Sequence, residues 1–402
     1  MFKYKVQITW LMLASFVFAM LVPLAPVQAA SIADLLGQTS SSGQGLVDLL
    51  LGLFLGKFLD KLFNGASRAA DKIGLPSGLI HPGAKEIVGF YAEWWSGDKA
   101  SFNSLSANTD AVKTIAPFWA TLQADGSVTD RGGRDHAAVV DFAHRHNISV
   151  LLLVNNAKQD NSVNSPIHTV LSDPSLRSKA IDSLEAYIKK FNLDGVNIDF
   201  EMVPPEDREN LTAFMKELSA RLKPQGYLVT IDVFPKQDEQ KDVAYAYDYT
   251  ALSKYADKIM IMTYDNHGMW SDAGPIADIR WVEQSIQYAL QFIPKHKLYL
   301  GIATYGYDWS NKGVKSLTYA NVMDLVKRYN VVLQWDEPSK SPHFTYTGAD
   351  GLAHQVWFEN SRSLHYKLDL INKYDLAGAA LWKLGDEDPN YWSVLKAKLL
   401  KQ

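Results

Sequence analysis

Eight short apolar runs, alternating with helix-length amphipathic segments, constrain this chain more than any other feature. They are Ile87–Ala92, Thr114–Trp119, Val150–Asn155, Gly195–Glu201, Leu228–Phe234, Lys258–Tyr264, Leu298–Tyr305 and Ala377–Trp382. Most are nearly continuous in apolar residues, the pattern of strands covered on both faces rather than on one. Helical patterns such as Pro174–Phe191 and Glu206–Leu222 lie between them. Eight β units joined by helices predict an α/β chain closed into a parallel (β/α)₈ barrel. The interval from Tyr305 to Ala377 is too long for one helix and holds β-like runs such as Val331–Asp336 and His354–Phe358. A small α+β insertion after the seventh strand, at about 309–370, is therefore expected.

The 402 residues, 47% of them hydrophobic, are ample for such a core. Upstream of the barrel the composition changes. Lys3 and Lys5 precede an apolar run from Ile8 to Leu24, and Pro23 and Pro26 break it before the small-residue site Val27-Gln28-Ala29. This layout predicts a signal peptide over 1–29, and hence a secreted protein, extracellular or attached to a bacterial cell wall. An uncleaved membrane anchor is the competing reading. Residues 30–84 combine a linker-like stretch, Gln38–Gly43, with Leu46–Phe63, which charges interrupt too often for a membrane span. Leu46–Phe63 is expected to be an amphipathic helix that docks on the barrel or lies on a wall or membrane surface. Gly74, Pro76, Gly78, Pro82 and Gly83 mark a linker, so the catalytic domain is expected over 85–402.

Composition removes several functions. A net charge of -4 with mixed signs offers no basic field for nucleic acid. The absence of cysteine excludes disulfides, thiol catalysis and thiolate metal sites. His144 and His146, at i and i+2, do not share a helix face, so no metal site is expected there.

The chemistry concentrates in Asp194-Gly195-Val196-Asn197-Ile198-Asp199-Phe200-Glu201. Alternate residues of a strand share a face, so Asn197, Asp199 and Glu201 point one way and Val196, Ile198 and Phe200 the other. An amide and two carboxylates facing a barrel axis cost several kcal/mol each unless paired or used, on the order of the burial penalty of polar groups. Glu201 falls at the C-terminal end of its strand, where barrel active sites lie. Asp199 and Glu201 are ~6–7 Å apart along the backbone with parallel side chains. Like charges so placed raise the pKa of one member, and a carboxylic acid protonated near neutrality is a general acid. Asp194 has the opposite parity and is expected to be structural.

This run resembles the D-x-x-D-x-D-x-E signature of glycoside hydrolase family 18, with Asn197 at the middle aspartate. Met262-Thr263-Tyr264-Asp265 resembles that family's M-x-Y-D motif at the end of the sixth strand, and Ala380-Leu381-Trp382 its floor tryptophan. The resemblance runs from about Ile87 to the C-terminus. Asn197, the run Val356-Trp357-Phe358-Glu359 and the compact insertion resemble bacterial cell-wall and spore-associated members more than typical chitinases. The resemblance implies hydrolysis of an N-acetylglucosamine-containing polysaccharide by substrate-assisted retention, a departure from the two-carboxylate scheme. Glu201 would be acid and then base, Asp199 would orient the 2-acetamido N–H, Tyr264 would bond its oxygen and Trp382 would floor the pocket. It implies no cofactor and no metal. An amide at 197 cannot hold an acidic proton, which bears on the pH profile. Tyr91, Glu93, Trp94, Asn155, Asp265, Tyr305 and Glu359, together with Asn197, are further candidate substrate contacts. A monomer is expected. The alternatives are a lectin-like wall protein on the same barrel and a surface-attached structural protein.

Overall fold

A computed structural model describes residues 84–133 and 135–400. The expected signal peptide and the Leu46–Phe63 helix lie outside the described residues.

Along the chain, β1 (Glu86–Tyr91), α1 (Ala100–Ala107), β2 (Thr114–Leu122), β3 (Val128–Asp130) and α2 (His136–Arg145) come first. There follow β4 (Ser149–Asn156), α3 (Pro166–Ser172), α4 (Pro174–Phe191), β5 (Gly195–Asp199) and α5 (Arg208–Leu222). Next are β6 (Leu228–Val233), α6 (Tyr249–Tyr255), β7 (Lys258–Ile261), α7 (Ile279–Ala289) and β8 (Leu298–Ala303). β9 (Tyr305–Ser310), β10 (Gly313–Thr318), α8 (Tyr319–Tyr329), β11 (Gln334–Asp336), β12 (Ser341–Thr347) and β13 (Ala353–Phe358) form a separate unit. The chain then returns through α9 (Ser361–Lys373) to β14 (Gly378–Trp382) and α10 (Tyr391–Leu395).

Strands β1, β2, β4 to β8 and β14 are parallel neighbours, and β1 pairs with both β2 and β14, so the sheet closes as the apolar runs predict. Local sequence sets the helix limits. Asp173 caps α4 by accepting from Ser175 N and Leu176 N, Pro174 fills its first turn, and Asn192 ends it in the left-handed region at φ 53°. The expected Glu206 helix begins as a 3₁₀ turn at Pro205–Asp207 and becomes α-helical only at Arg208.

The insertion is a five-stranded antiparallel sheet in the order β10-β9-β13-β12-β11. It begins at Tyr305 rather than near 309, because β9 continues almost directly from β8. It also ends earlier than expected, at Phe358. The α9 residues Leu364, Leu368 and Ile371 join the core between barrel and helices, so α9 belongs to the barrel. One face of the inserted sheet packs under α8 through Val322, Phe344, Val356 and Phe358. The other carries Tyr305, Tyr307, Trp309 and Trp357 towards Tyr264 and Trp382 at the barrel mouth.

Inside the barrel, Val88, Phe90, Ala116, Leu153, Met260, Tyr299 and Ala380 form a small apolar layer. Beneath it Glu86 accepts from Lys258 Nζ, from Thr114 Oγ1 at 2.6 Å and from the Tyr299 hydroxyl. Burial pushes the Glu86 carboxyl up, but the Lys258 ammonium and these donors outweigh it and hold it below the usual carboxylate range. Lys258→Met should therefore cost about 3–5 kcal/mol, the cost of leaving one half of a buried ion pair uncompensated. Adding Glu86→Gln should restore part of that. Urea midpoints check this, and a wild-type midpoint for the single variant would show that Glu86 is neutralised in another way.

Candidate active site

The centre is built on β5. Val196, Ile198 and Phe200 enter the core between barrel and helices, while Asn197 is wholly buried on the opposite face and Asp199 is 7% exposed. Gly195 is required where β5 meets β6, since a Cβ there would lie 2.1 Å from Leu228 O. The strand was expected to reach Glu201, yet its ladder stops at Asp199. Beyond it, side chains replace the ladder. Asn156 Nδ2 donates to Glu201 O at 3.0 Å, Glu201 N donates to Asn156 Oδ1 at 2.9 Å, and the Tyr247 hydroxyl donates to Phe200 O at 2.6 Å. Met202, at φ 52°, then turns the chain away. Glu201 is thus clamped at its backbone while its carboxyl stays at the mouth. Asn156→Ala should lower kcat by ~10²-fold, the scale of an ångström-level misplacement of a reacting group. Unchanged kcat alongside a lowered melting temperature would reduce Asn156 to a structural role.

Four carboxyls converge here. Asn197 Oδ1 accepts from Thr230 Oγ1 at 2.6 Å, which orients its amide so that Nδ2 donates to Asp232 Oδ2, also at 2.6 Å. Asn197 pairs with Thr230 and Ile198 with Ile231, so the next step along both strands sets Asp199 beside Asp232. Burial raises Asp199 well above the usual range, and the charges of Glu201 and Asp232 raise it further. Burial likewise raises Asp232, against the hydrogen bond from Asn197, and Glu201 adds to the effect. Glu201 is pushed up to about 7, first by burial and then by Asp265, while a hydrogen bond from Gln159 opposes the rise.

Across the mouth, Asp265, at φ 56°, accepts from the hydroxyls of Tyr305 at 2.6 Å and Tyr307 at 3.0 Å. Burial and the surrounding acids, Asp232 foremost, keep the Tyr264 phenol protonated and so a donor. Gly301 makes room for Tyr264, because a Cβ there would lie 2.5 Å from Ile261 O and 3.0 Å from the Tyr264 ring. Trp382 ends β14 with Phe90, Trp94 and Phe118 edge-on around it at centroid distances of 5.4, 6.5 and 6.3 Å. A flat ring framed in this way offers a face on which an apolar sugar face can stack.

The structure thus gathers Glu201, Asp199, Tyr264, Asn197, Asp265, Tyr305, Trp382 and Trp94 at one end of the barrel. Asn155 joins them: it pairs in register with Asp199 and accepts from Thr121 Oγ1 at 2.8 Å. Glu93 follows β1 at the same end, its carboxylate accepting from the Tyr91 hydroxyl at 2.7 Å. Two candidates are corrected. Tyr91 is wholly buried in the layer between barrel and helices, because Val88 and Phe90 are the inward residues of β1; it supports Glu93 and has no surface for a sugar. Glu359 is 1% exposed and accepts from Lys367 Nζ at 2.8 Å and Ser363 Oγ at 2.6 Å, so it is tied to α9 rather than to the cleft. Asp194 is structural, accepting from Val150 N at 2.8 Å and bonding His144 at 2.8 Å.

Sequence reasoning missed Asp232, Asn156 and Tyr307. Asp232 had a signal, since Thr230 and Asp232 share the parity of β6 and interrupt an apolar run with two inward polar groups. Tyr307 had one as well, in the alternation Tyr305, Tyr307, Trp309. Asn156 had none, because its role arises only where β4 and β5 end side by side.

A closed (β/α)₈ barrel with a protonatable glutamate at a strand end, a second carboxyl one pleat deeper and an aromatic floor defines a glycosidase-type site. Residues 86–388 match Glycosyl hydrolases family 18, and the chain belongs to that family of glycoside hydrolases. It is 28% identical over 324 residues to the uncharacterized glycosylase YvbX of Bacillus subtilis, covering 78% of this chain and 92% of that protein. It is 29% identical over 301 residues to the cortical fragment-lytic enzyme of Bacillus anthracis, covering 71% of this chain and 69% of that enzyme. Among solved structures, a chitinase from Chromobacterium violaceum is 30% identical with a TM-score of 0.72, covering 79% of this chain and 100% of the other. The spore cortex-lytic enzyme SleL of Bacillus cereus shares the fold with a TM-score of 0.72 at 24% identity, over 83% and 84% of the two chains.

Proposed function

We propose that this hydrolase is secreted and cleaves β-1,4 bonds in N-acetylglucosamine-containing polymers, peptidoglycan or chitin, by substrate-assisted retention. Glu201 carries the reading: its carboxyl, raised to about 7 at the barrel mouth, holds a proton near neutrality beside a cluster of buried acids. It donates that proton to the glycosidic oxygen as the bond to the anomeric carbon breaks and its electron pair leaves with the oxygen. The carbonyl oxygen of the substrate's own 2-acetamide bonds to that carbon and forms a cyclic oxazolinium. Asp199 as carboxylate accepts the acetamido N–H and balances the positive charge. The Tyr264 hydroxyl donates to the acetamido oxygen, and Trp382 lies beneath the sugar. Glu201, now ionised, takes a proton from water as the water opens the ring, and the anomeric configuration is kept. Secretion rests on the charged start, apolar run and small-residue site of residues 1–29.

The full acid set favours turnover over a lectin-like role. The experiment is incubation with purified peptidoglycan and with chitin oligomers, followed by mass identification of the new reducing ends. N-acetylglucosamine at those ends is the expected result. Binding to either polymer without new ends would favour the lectin-like reading.

A further inference from the structure

Asp232 has no place in the scheme above, yet it lies in the middle of the cluster. It is 2% exposed, its Oδ2 takes the hydrogen bond from Asn197, and its Oδ1 is buried with no hydrogen-bond partner among the described residues. An ionised carboxylate with a bare buried oxygen is costly, whereas a protonated one is neutral and turns that oxygen into a donor. The register that pairs Ile198 with Ile231 sets Asp199 next to Asp232, with neighbouring strands ~4.8 Å apart. The titratable groups facing the pair are Glu201 beyond the end of β5, Tyr264 beyond the end of β7, and Tyr247 between β6 and α6, whose phenol feels Asp199. Asp265 acts on Glu201 and Tyr264. Asn197, Thr230 and Asn155 from β5, β6 and β4 are uncharged, and none of the groups named is a cation. Two carboxyls in such a pocket cannot both ionise, and the neutralising charge has to be a proton.

We propose that Asp232 is a positioning residue that shares one proton with Asp199 and supplies from β6 the titratable partner that Asn197 cannot be. Asn197 is the bridge that aims it. Thr230 fixes the amide so that its N–H holds Asp232 Oδ2, leaving Oδ1 as the oxygen that carries the proton. When Asp199 must become a carboxylate to receive the acetamido N–H, its proton passes to Asp232 Oδ1. No covalent bond to carbon forms, and the charge of the pair does not change. The inference rests on the role given to Asp199 in the proposed function.

The test is a titration of the full chain labelled with ¹³C at the aspartate carboxyls, which needs no substrate. Asp199 and Asp232 should shift together in two coupled steps, with one proton kept across neutrality. Asp232 titrating alone within the ordinary carboxylate range would overturn the proposal. In Asp232→Asn, Asp199 should lose the coupled step it shares with position 232 and respond only to Glu201, one proton fewer should be released above the ordinary carboxylate range, and kcat/KM should fall at least ~10-fold, the worth of one pKa unit. Asn197→Asp combined with Asp232→Asn returns the acid on the neighbouring strand and should restore both the coupled titration and most of the rate. A plain hydrogen-bond role predicts that Asp232→Asn leaves the Asp199 titration unchanged, and that result would also overturn the proposal. If Asp232→Asn does not fold, the wild-type titration alone decides. Wild-type protein idle on acetylated oligomers but titrating as described would count against the proposed function and not against the pair.

Discussion

Glu201→Gln should lower kcat by ~10²–10⁴-fold, the usual worth of a positioned acid, and leave sugar binding nearly intact. The amide keeps the shape and hydrogen-bonding reach of the side chain and loses only the transferable proton. Wild-type activity should fall as pH rises through about 7, because Glu201 must be protonated to donate and its carboxyl is raised to that value. The residual rate of the variant should lack that limb. Wild-type stability should fall over the same pH range. A carboxyl raised in the folded state favours the fold while it stays protonated, and that contribution is lost as pH rises through its folded pKa. Above pH ~7 the variant should therefore be more stable than wild type, by on the order of 1–3 kcal/mol given about 1.4 kcal/mol per pKa unit. Rates and melting curves at pH values on both sides of neutrality check both halves. A Glu201→Gln protein with wild-type rates would remove Glu201 from the chemistry.

The barrel was legible because its strands are covered on both faces. A run such as Val150–Asn155 has few other places in a chain of this kind, and β4 spans Ser149–Asn156. Parity within β5 was legible for the same reason. It places Asn197, Asp199 and Glu201 inward, and the inward face is where Asn197 and Asp199 are found. What failed was reasoning by position at a strand end without parity. Tyr91 sits at the right end of β1 but on its outer face, against Trp119 at a centroid distance of 6.3 Å. Glu359 follows β13, and spacing alone groups it with the cleft, while the cation that claims it, Lys367, comes from the helix after it. The Glu359 case turns on which of two neighbours a carboxyl faces, and sequence spacing does not encode that. Asp232 is intermediate: its parity was readable, but its contact with Asn197 depends on the register between β5 and β6.

Removal of the acetamide should have an effect as large as removal of the acid. If the substrate provides the nucleophile, a free amine or a hydroxyl at C2 leaves no oxygen to attack the anomeric carbon. No carboxyl of the protein is assigned to replace it. Asp199 is 7% exposed and lies one pleat below Glu201, and the proposed mechanism has it receive the acetamido N–H. Deacetylated oligomers should thus enter the cleft and stack on Trp382 yet resist cleavage wherever the sugar upstream of the scissile bond lacks its acetyl group. A thiazoline analogue of the cyclic intermediate should compete with acetylated substrate and bind more tightly than the substrate itself. The most direct measurement is mass spectrometry of the digest of a partly deacetylated oligomer series, alongside the mass of the protein quenched during turnover. Cuts only after acetylated sugars and an unmodified protein mass are the expected result. Cuts after deacetylated sugars, or a sugar ester trapped on Asp199 or Glu201, would contradict it.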